Sequence, residues 1–134
     1  MGGASARGWI AVAAVSGVIA VVVGAFAAHG VDPATAAGAK AREWLQTGSQ
    51  YEMIHALAML VVTALYAVGR LEKRLAIAAQ CLFLLGGVLF PGALYALAFG
   101  GPRWFGAVAP IGGMAFILGW LCLGLAALTR SDAD

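Results

Sequence analysis

Few groups in this chain can carry a proton or hold an ion within an apolar setting: His29, Tyr51, Glu52, His55 and Tyr95. Glu52 lies three residues before His55 and Tyr51 four before it, so the three share one helix face. His29 ends one apolar run, and His55 stands near the start of the next. Antiparallel neighbouring helices would bring both imidazoles to the same end of the molecule, with Tyr95, Arg103 and Trp104 nearby. Three chemistries suit such a set. One is a hydrogen-bonded network that ties a loop to the helices, because polar groups in lipid must find partners. The second is a site for a quinone, a lipid headgroup or a protein partner, since ionisable residues inside a membrane are functional by default. The third is a metal site from His29, His55 and Glu52, whose imidazoles and carboxylate suit zinc, iron or copper. No HxxxH or HxxE pair is present, so spacing by itself does not select a metal.

The elements that must position these groups are membrane spans. The 134 residues are 63% hydrophobic and only 10% charged, against about 25% charged in a soluble domain. A chain with a mean hydropathy of +0.93 cannot face water all round. Four runs approach the roughly 20 apolar residues that cross a bilayer: 9–28, 51–68 with its apolar part from Met53, 75–99 interrupted by Pro91, and 107–128 with Pro110 near its start. The expected fold is an all-α, single-domain, four-helix transmembrane bundle. Between the first two spans, Asp32-Pro33 reads as a helix N-cap with Pro at the first helical position. Ala34 to Leu45 then suggests a short helix lying in the outer headgroup region, with Trp44 at the depth that tryptophan favours.

Charge gives the orientation. Arg7, Arg70, Lys73, Arg74 and Arg130 fall on one side; Lys40, Arg42 and Arg103 fall on the other. The positive-inside rule then puts both termini in the cytoplasm. The stretch Gly24-Ala-Phe-Ala-Ala-His-Gly contains an A-x-A pattern like a signal-peptide cleavage site. The run before it is long enough to span, so the expectation is the outer end of a permanent helix. Small residues at Ala13, Gly17, Ala20, Gly24 and Ala28, with Gly86, Gly87, Gly112, Gly113, Gly119 and Gly124, allow close helix packing. Pro91 removes the hydrogen bond to the Gly87 carbonyl and should kink its helix. The two cysteines, Cys81 and Cys122, lie in apolar runs and read as small core residues.

Four segments carry a family resemblance. They are Gly24-Ala-Phe-Ala-Ala-His-Gly, Tyr51-Glu-Met-Ile-His-Ala-Leu-Ala, Phe90-Pro-Gly-Ala-Leu-Tyr-Ala-Leu and Ala109-Pro-Ile-Gly-Gly-Met-Ala-Phe-Ile-Leu-Gly-Trp. In this order they resemble the DUF423 family of small bacterial inner-membrane proteins, related to animal transmembrane protein 256. Ala27 stands where the family usually has Gly, and Pro91 and Ala93 stand where it usually has Ser. The resemblance implies a four-helix inner-membrane protein without an established activity. It draws attention to His29, Tyr51, His55, Tyr95 and Pro110.

No nucleophile–base pair, phosphate-binding loop or dinucleotide fingerprint is present, and a net charge of +2 gives no nucleic-acid footprint. The first expectation is a non-enzymatic protein with no cofactor, embedded in the lipid bilayer. It would act as an accessory or interaction subunit of a larger inner-membrane complex. The alternative is a ligand- or metal-binding membrane protein with its site at the two histidines on the outer surface. A third is a small transporter, against which stands the expected absence of charged residues away from the span ends.

Overall fold

In lipid the backbone must satisfy its own hydrogen bonds, and long apolar runs with few charges do so as helices. The computed structural model describes residues 3–130. It contains α1 (Gly3–His29), α2 (Ala36–Ala67), α3 (Lys73–Ala98) and α4 (Phe105–Leu128). All four are long and apolar enough to cross a membrane. Extensive packing runs in chain order: α1 on α2, α2 on α3, α3 on α4. Large apolar side chains such as Val18, Val22, Leu57, Ile111 and Leu121 point outward, as a lipid-facing surface requires.

α2 differs from the expectation. The segment read as a separate interfacial helix is the first part of one 32-residue helix. Its N-cap is Thr35, whose side chain accepts from Gly38 N–H at 3.0 Å. Asp32 instead closes a turn by accepting from Ala34 N–H at 2.9 Å. Lys40, Arg42, Glu43, Gln46 and Gln50 give this stretch a polar face. Its other face is nevertheless packed: Leu45, Gly48 and Ser49 are buried, and Trp44 rests on the Ala93–Leu94–Ala109 cluster. A helix of this length rises about 48 Å, against about 30 Å of hydrocarbon. The polar third therefore stands clear of the apolar layer while remaining part of the same rod.

Helix ends explain the short turns. α2 and α3 each close with a left-handed glycine, Gly69 at φ 71° and Gly100 at φ 80°. Arg70 N–H reaches Leu65 O and Gly69 N–H reaches Tyr66 O; Gly101 and Gly100 repeat the pattern on Ala96 and Leu97. This is the Schellman arrangement, which satisfies the last carbonyls of a helix. Next, Glu72 caps α3 by accepting from the N–H groups of Arg74 at 2.9 Å and Leu75 at 2.8 Å. Its own N–H donates to Ala126 O of α4 at 2.8 Å.

Those hydrogen bonds, with that from Arg74 first, hold the Glu72 carboxyl below its ordinary value of 4.5. The folded state thus favours the ionised form. Its stabilisation is present above the unfolded value and is lost as pH falls through the folded one. Acid melting should therefore lower the midpoint of wild type more than that of Glu72→Gln, with the gap between them closing below about pH 4. Parallel thermal melts from neutral to acid pH check this; a gap independent of pH would contradict it.

α3 and α4 interlock through phenylalanines seated over glycines. Phe116 lies over Gly86, Phe83 over Gly119, and the backbone of Phe90 against Gly112. α1 lies on α2 through Ala13, Ala20 and Ala27, all buried. The expected stripe is thus shifted: Ala27 rather than Ala28 is packed, and Gly17 meets nothing. Gly24-Ala-Phe-Ala-Ala-His-Gly covers the last turn and a half of α1 and the residue after it, closed by Gly30 N–H on Phe26 O at 2.7 Å. α3 continues through Pro91, which is buried. α4 begins two residues earlier than expected. Pro110 therefore lies inside the helix rather than in its first turn.

Candidate functional site

The expected cluster is only partly assembled. Glu52 is 5% exposed. Its Oε1 accepts from Ser16 Oγ at 3.1 Å and its Oε2 from the Tyr95 hydroxyl at 2.7 Å. Three helices thus converge on one carboxylate. Ser16 is the central residue of α1, so the carboxylate lies beside the middle of a span rather than at a helix end. The expectation of spans free of charged groups away from their ends is corrected here. Gly48 makes the geometry possible: the Tyr95 ring lies directly over it, and any Cβ there would meet ring carbons. The tyrosine hydroxyl thereby reaches Glu52, one turn further along α2.

His55 occupies the next turn but faces other partners. Its Nδ1 is 2.6 Å from Tyr51 O, and Trp120 Nε1 donates to its Nε2 at 3.1 Å. An indole N–H can only donate. Nε2 must therefore be the bare nitrogen, and Nδ1–H donates to the Tyr51 carbonyl. The imidazole stacks on Phe116 with centroids 3.4 Å apart and planes 7° from parallel. Tyr51 supplies that carbonyl and packs its ring 4.7 Å from Phe90. Both imidazole nitrogens are occupied.

His29 does not join. It is exposed at the end of α1, about 20 Å of helix rise beyond Ser16. The suggested metal set of His29, His55 and Glu52 is therefore not brought together. Among the described residues no three His, Cys, Asp or Glu side chains are grouped to hold a metal. The physical reason is register: α1 runs far past the level of Glu52, and the histidines share a direction but not a depth.

Sequence reasoning missed Ser16, Trp120 and a second polar group. Gln80, fully buried, donates from Nε2 to Met59 O at 2.9 Å and to Thr63 Oγ1 at 2.8 Å. Its Oε1 has no hydrogen-bond partner among the described residues. A signal existed for Ser16: it is the only hydroxyl residue between Trp9 and Ala28.

Glu52, Ser16 and His55 form the polar end of a cavity of about 160 Å³. Its floor is α2 and Phe83. Its rim is Val15 and Ile19 of α1 and Leu84 and Val88 of α3, all exposed. The cavity therefore opens sideways, between two helices that do not pack closely on each other, toward the space lipid would fill.

Comparison with known proteins gives the lineage. A family model described as "Protein of unknown function (DUF423)" matches residues 23–113. A UPF0382 membrane protein of Haemophilus influenzae is 40% identical over 115 residues, covering 86% of this chain and 89% of that protein. The UPF0382 inner membrane protein YgdD of Escherichia coli is 38% identical, covering 81% and 79%. The UPF0382 membrane protein YwdK of Bacillus subtilis is 36% identical, covering 90% and 95%. No solved structure matches. Four apolar helices joined by short turns, a carboxylate held between three of them and this run of relatives lead to one assignment: the chain is a membrane protein of the DUF423 family.

Proposed function

We propose that this protein is a non-enzymatic, membrane-embedded binding protein, and that its site is the sideways-opening cavity ending at Glu52. The carrying observation is a carboxyl group fixed beside the middle of α1 by Ser16 and Tyr95 and lining that cavity. An intramembrane ionisable group is costly and marks function by default. Binding is favoured over catalysis because His55 has both nitrogens engaged and both oxygens of Glu52 already accept hydrogen bonds. The turn at Arg70, Lys73 and Arg74 lies beside the end of α4, where Gly69 approaches Arg130. Arg70, Lys73, Arg74 and Arg130 thus gather at one end, against Lys40, Arg42 and Arg103 toward the other, which supports termini in the cytoplasm.

Gly87 offers the test. It lines the cavity, and a Cβ there meets nothing within 4 Å. Gly87→Leu should fill the space without disturbing the fold. Wild-type protein drawn into native-lipid nanodiscs should carry a molecule, seen by mass spectrometry, that the variant lacks at equal thermal stability. Identical bound molecules in both would remove the reading.

A second reading, an accessory subunit of a larger inner-membrane complex, is favoured by outward glycines. A Cβ added at Gly8, Gly17, Gly106 or Gly124 would meet nothing within 4 Å among the described residues, and such positions allow another helix to come close. Gentle extraction that yields only the single chain would count against it.

A further inference from the structure

We propose that the cavity takes the single-ring, hydroxyl-bearing headgroup of a lipid-soluble molecule, a phenol or quinol, whose hydroxyl donates to Glu52. This deepens the binding reading above and rests on it. Size is the first argument. An apolar cavity of about 150 Å³ admits one benzene ring, and this one measures about 160 Å³. Hydrogen-bond complementarity is the second. Both oxygens of Glu52 already accept, from Ser16 and Tyr95. Each carboxyl oxygen carries two lone pairs, and one on each is taken, so acceptor positions remain for a ligand hydroxyl. A ligand hydroxyl fits this pattern. The third argument is the lining around that polar end. Met59 and Phe83 are buried apolar walls on which a ring can lie. The exposed rim of Val15, Ile19, Leu84 and Val88 lets a hydrocarbon tail leave into the bilayer without crossing a polar surface. A site of this kind is mostly apolar with a few placed polar groups.

The probe is a redox-inert phenol, 4-nonylphenol, beside its methyl ether, which keeps the ring and tail but cannot donate. Both are titrated against the full chain in nanodiscs of synthetic lipid and read by native mass spectrometry. Wild type should hold the phenol at least tenfold more tightly than the ether. Glu52→Gln should reduce that preference severalfold, and Gly87→Leu should bind neither. Equal affinity of wild type for phenol and ether overturns the proposal, and that comparison needs no variant to fold. So does retention of the preference in a folded Glu52→Gln protein. The two failures are separable. If native-lipid preparations of wild type carry a molecule without a ring hydroxyl that Gly87→Leu loses, the cavity binds but not this class. If neither probe nor native lipid distinguishes Gly87→Leu from wild type, the binding reading itself falls.

Discussion

Glu52→Ala should destabilise the protein by about 2–3 kcal/mol, more than any other polar-to-alanine change in the spans. Two hydroxyls lose their acceptor, and they are not equally harmed. Ser16 can turn back to the carbonyl four residues earlier on its own helix, a common resort of serine in helices. Tyr95 loses the acceptor of its hydroxyl, and an orphaned buried hydroxyl costs roughly 1–3 kcal/mol. The space left by the side chain adds about 1 kcal/mol more. Glu52→Gln keeps one acceptor oxygen and should cost about 1 kcal/mol or less. In the Tyr95→Phe background the alanine change should cost markedly less, because the orphan is already gone. Unfolding midpoints in a fixed micelle composition give these differences. A Glu52→Ala protein within about 0.5 kcal/mol of wild type would mean the carboxylate holds nothing together.

Gly112→Ala should cost about 2–3 kcal/mol despite alanine's better helix propensity. The added Cβ would land on the backbone of Phe90, at its N and Cα, so no rotamer change can clear it. α3 and α4 must separate, and overpacking of this kind costs about 1–3 kcal/mol or more. Gly119→Ala should be milder, since its Cβ would meet the ring edge of Phe83 at 2.7 Å, which can tilt. Gly124→Ala meets nothing within 4 Å and should stabilise by up to about 1 kcal/mol through helix propensity alone. The order of melting midpoints, 112 below 119 below wild type and 124 at or above it, is the measurement. A Gly112→Ala midpoint equal to wild type would show that the two helices are not in this register.

The spans were legible because hydrocarbon imposes a long, nearly uncharged run, and 9–28, 75–99 and 107–128 each fall inside a helix or within a residue of its end. The first half of α2 was not legible as part of the span. Its polar residues lower the hydropathy that identifies a span, while Trp44, Leu45 and Gly48, which join it to the bundle, are too few to register. Glu52 and Tyr95 were recognisable as residues that matter, and the structure joins them. His29 was misplaced because sequence gives the end of a helix but not the depth of its neighbour. Trp120 was invisible as a partner of His55 because that contact depends on how α4 lies against α2. Four turns of α4 separate Trp120 from the start of its helix, and nothing local marks the side it faces.

The dispersal of Glu52's partners has a consequence for biosynthesis. The carboxylate belongs to α2, but its two hydroxyl donors come from α1 and α3. When α2 leaves the ribosome, α1 already stands ready with Ser16, while Tyr95 has still to be translated. A span carrying a carboxylate enters lipid reluctantly by itself. α1, whose middle is apolar except for Ser16, must then be held close by until α2 arrives, and the set is complete only once the end of α3 has been made. The three helices thus commit to the membrane as a group, and α1, which packs extensively only on α2, keeps its place through a partner translated after it.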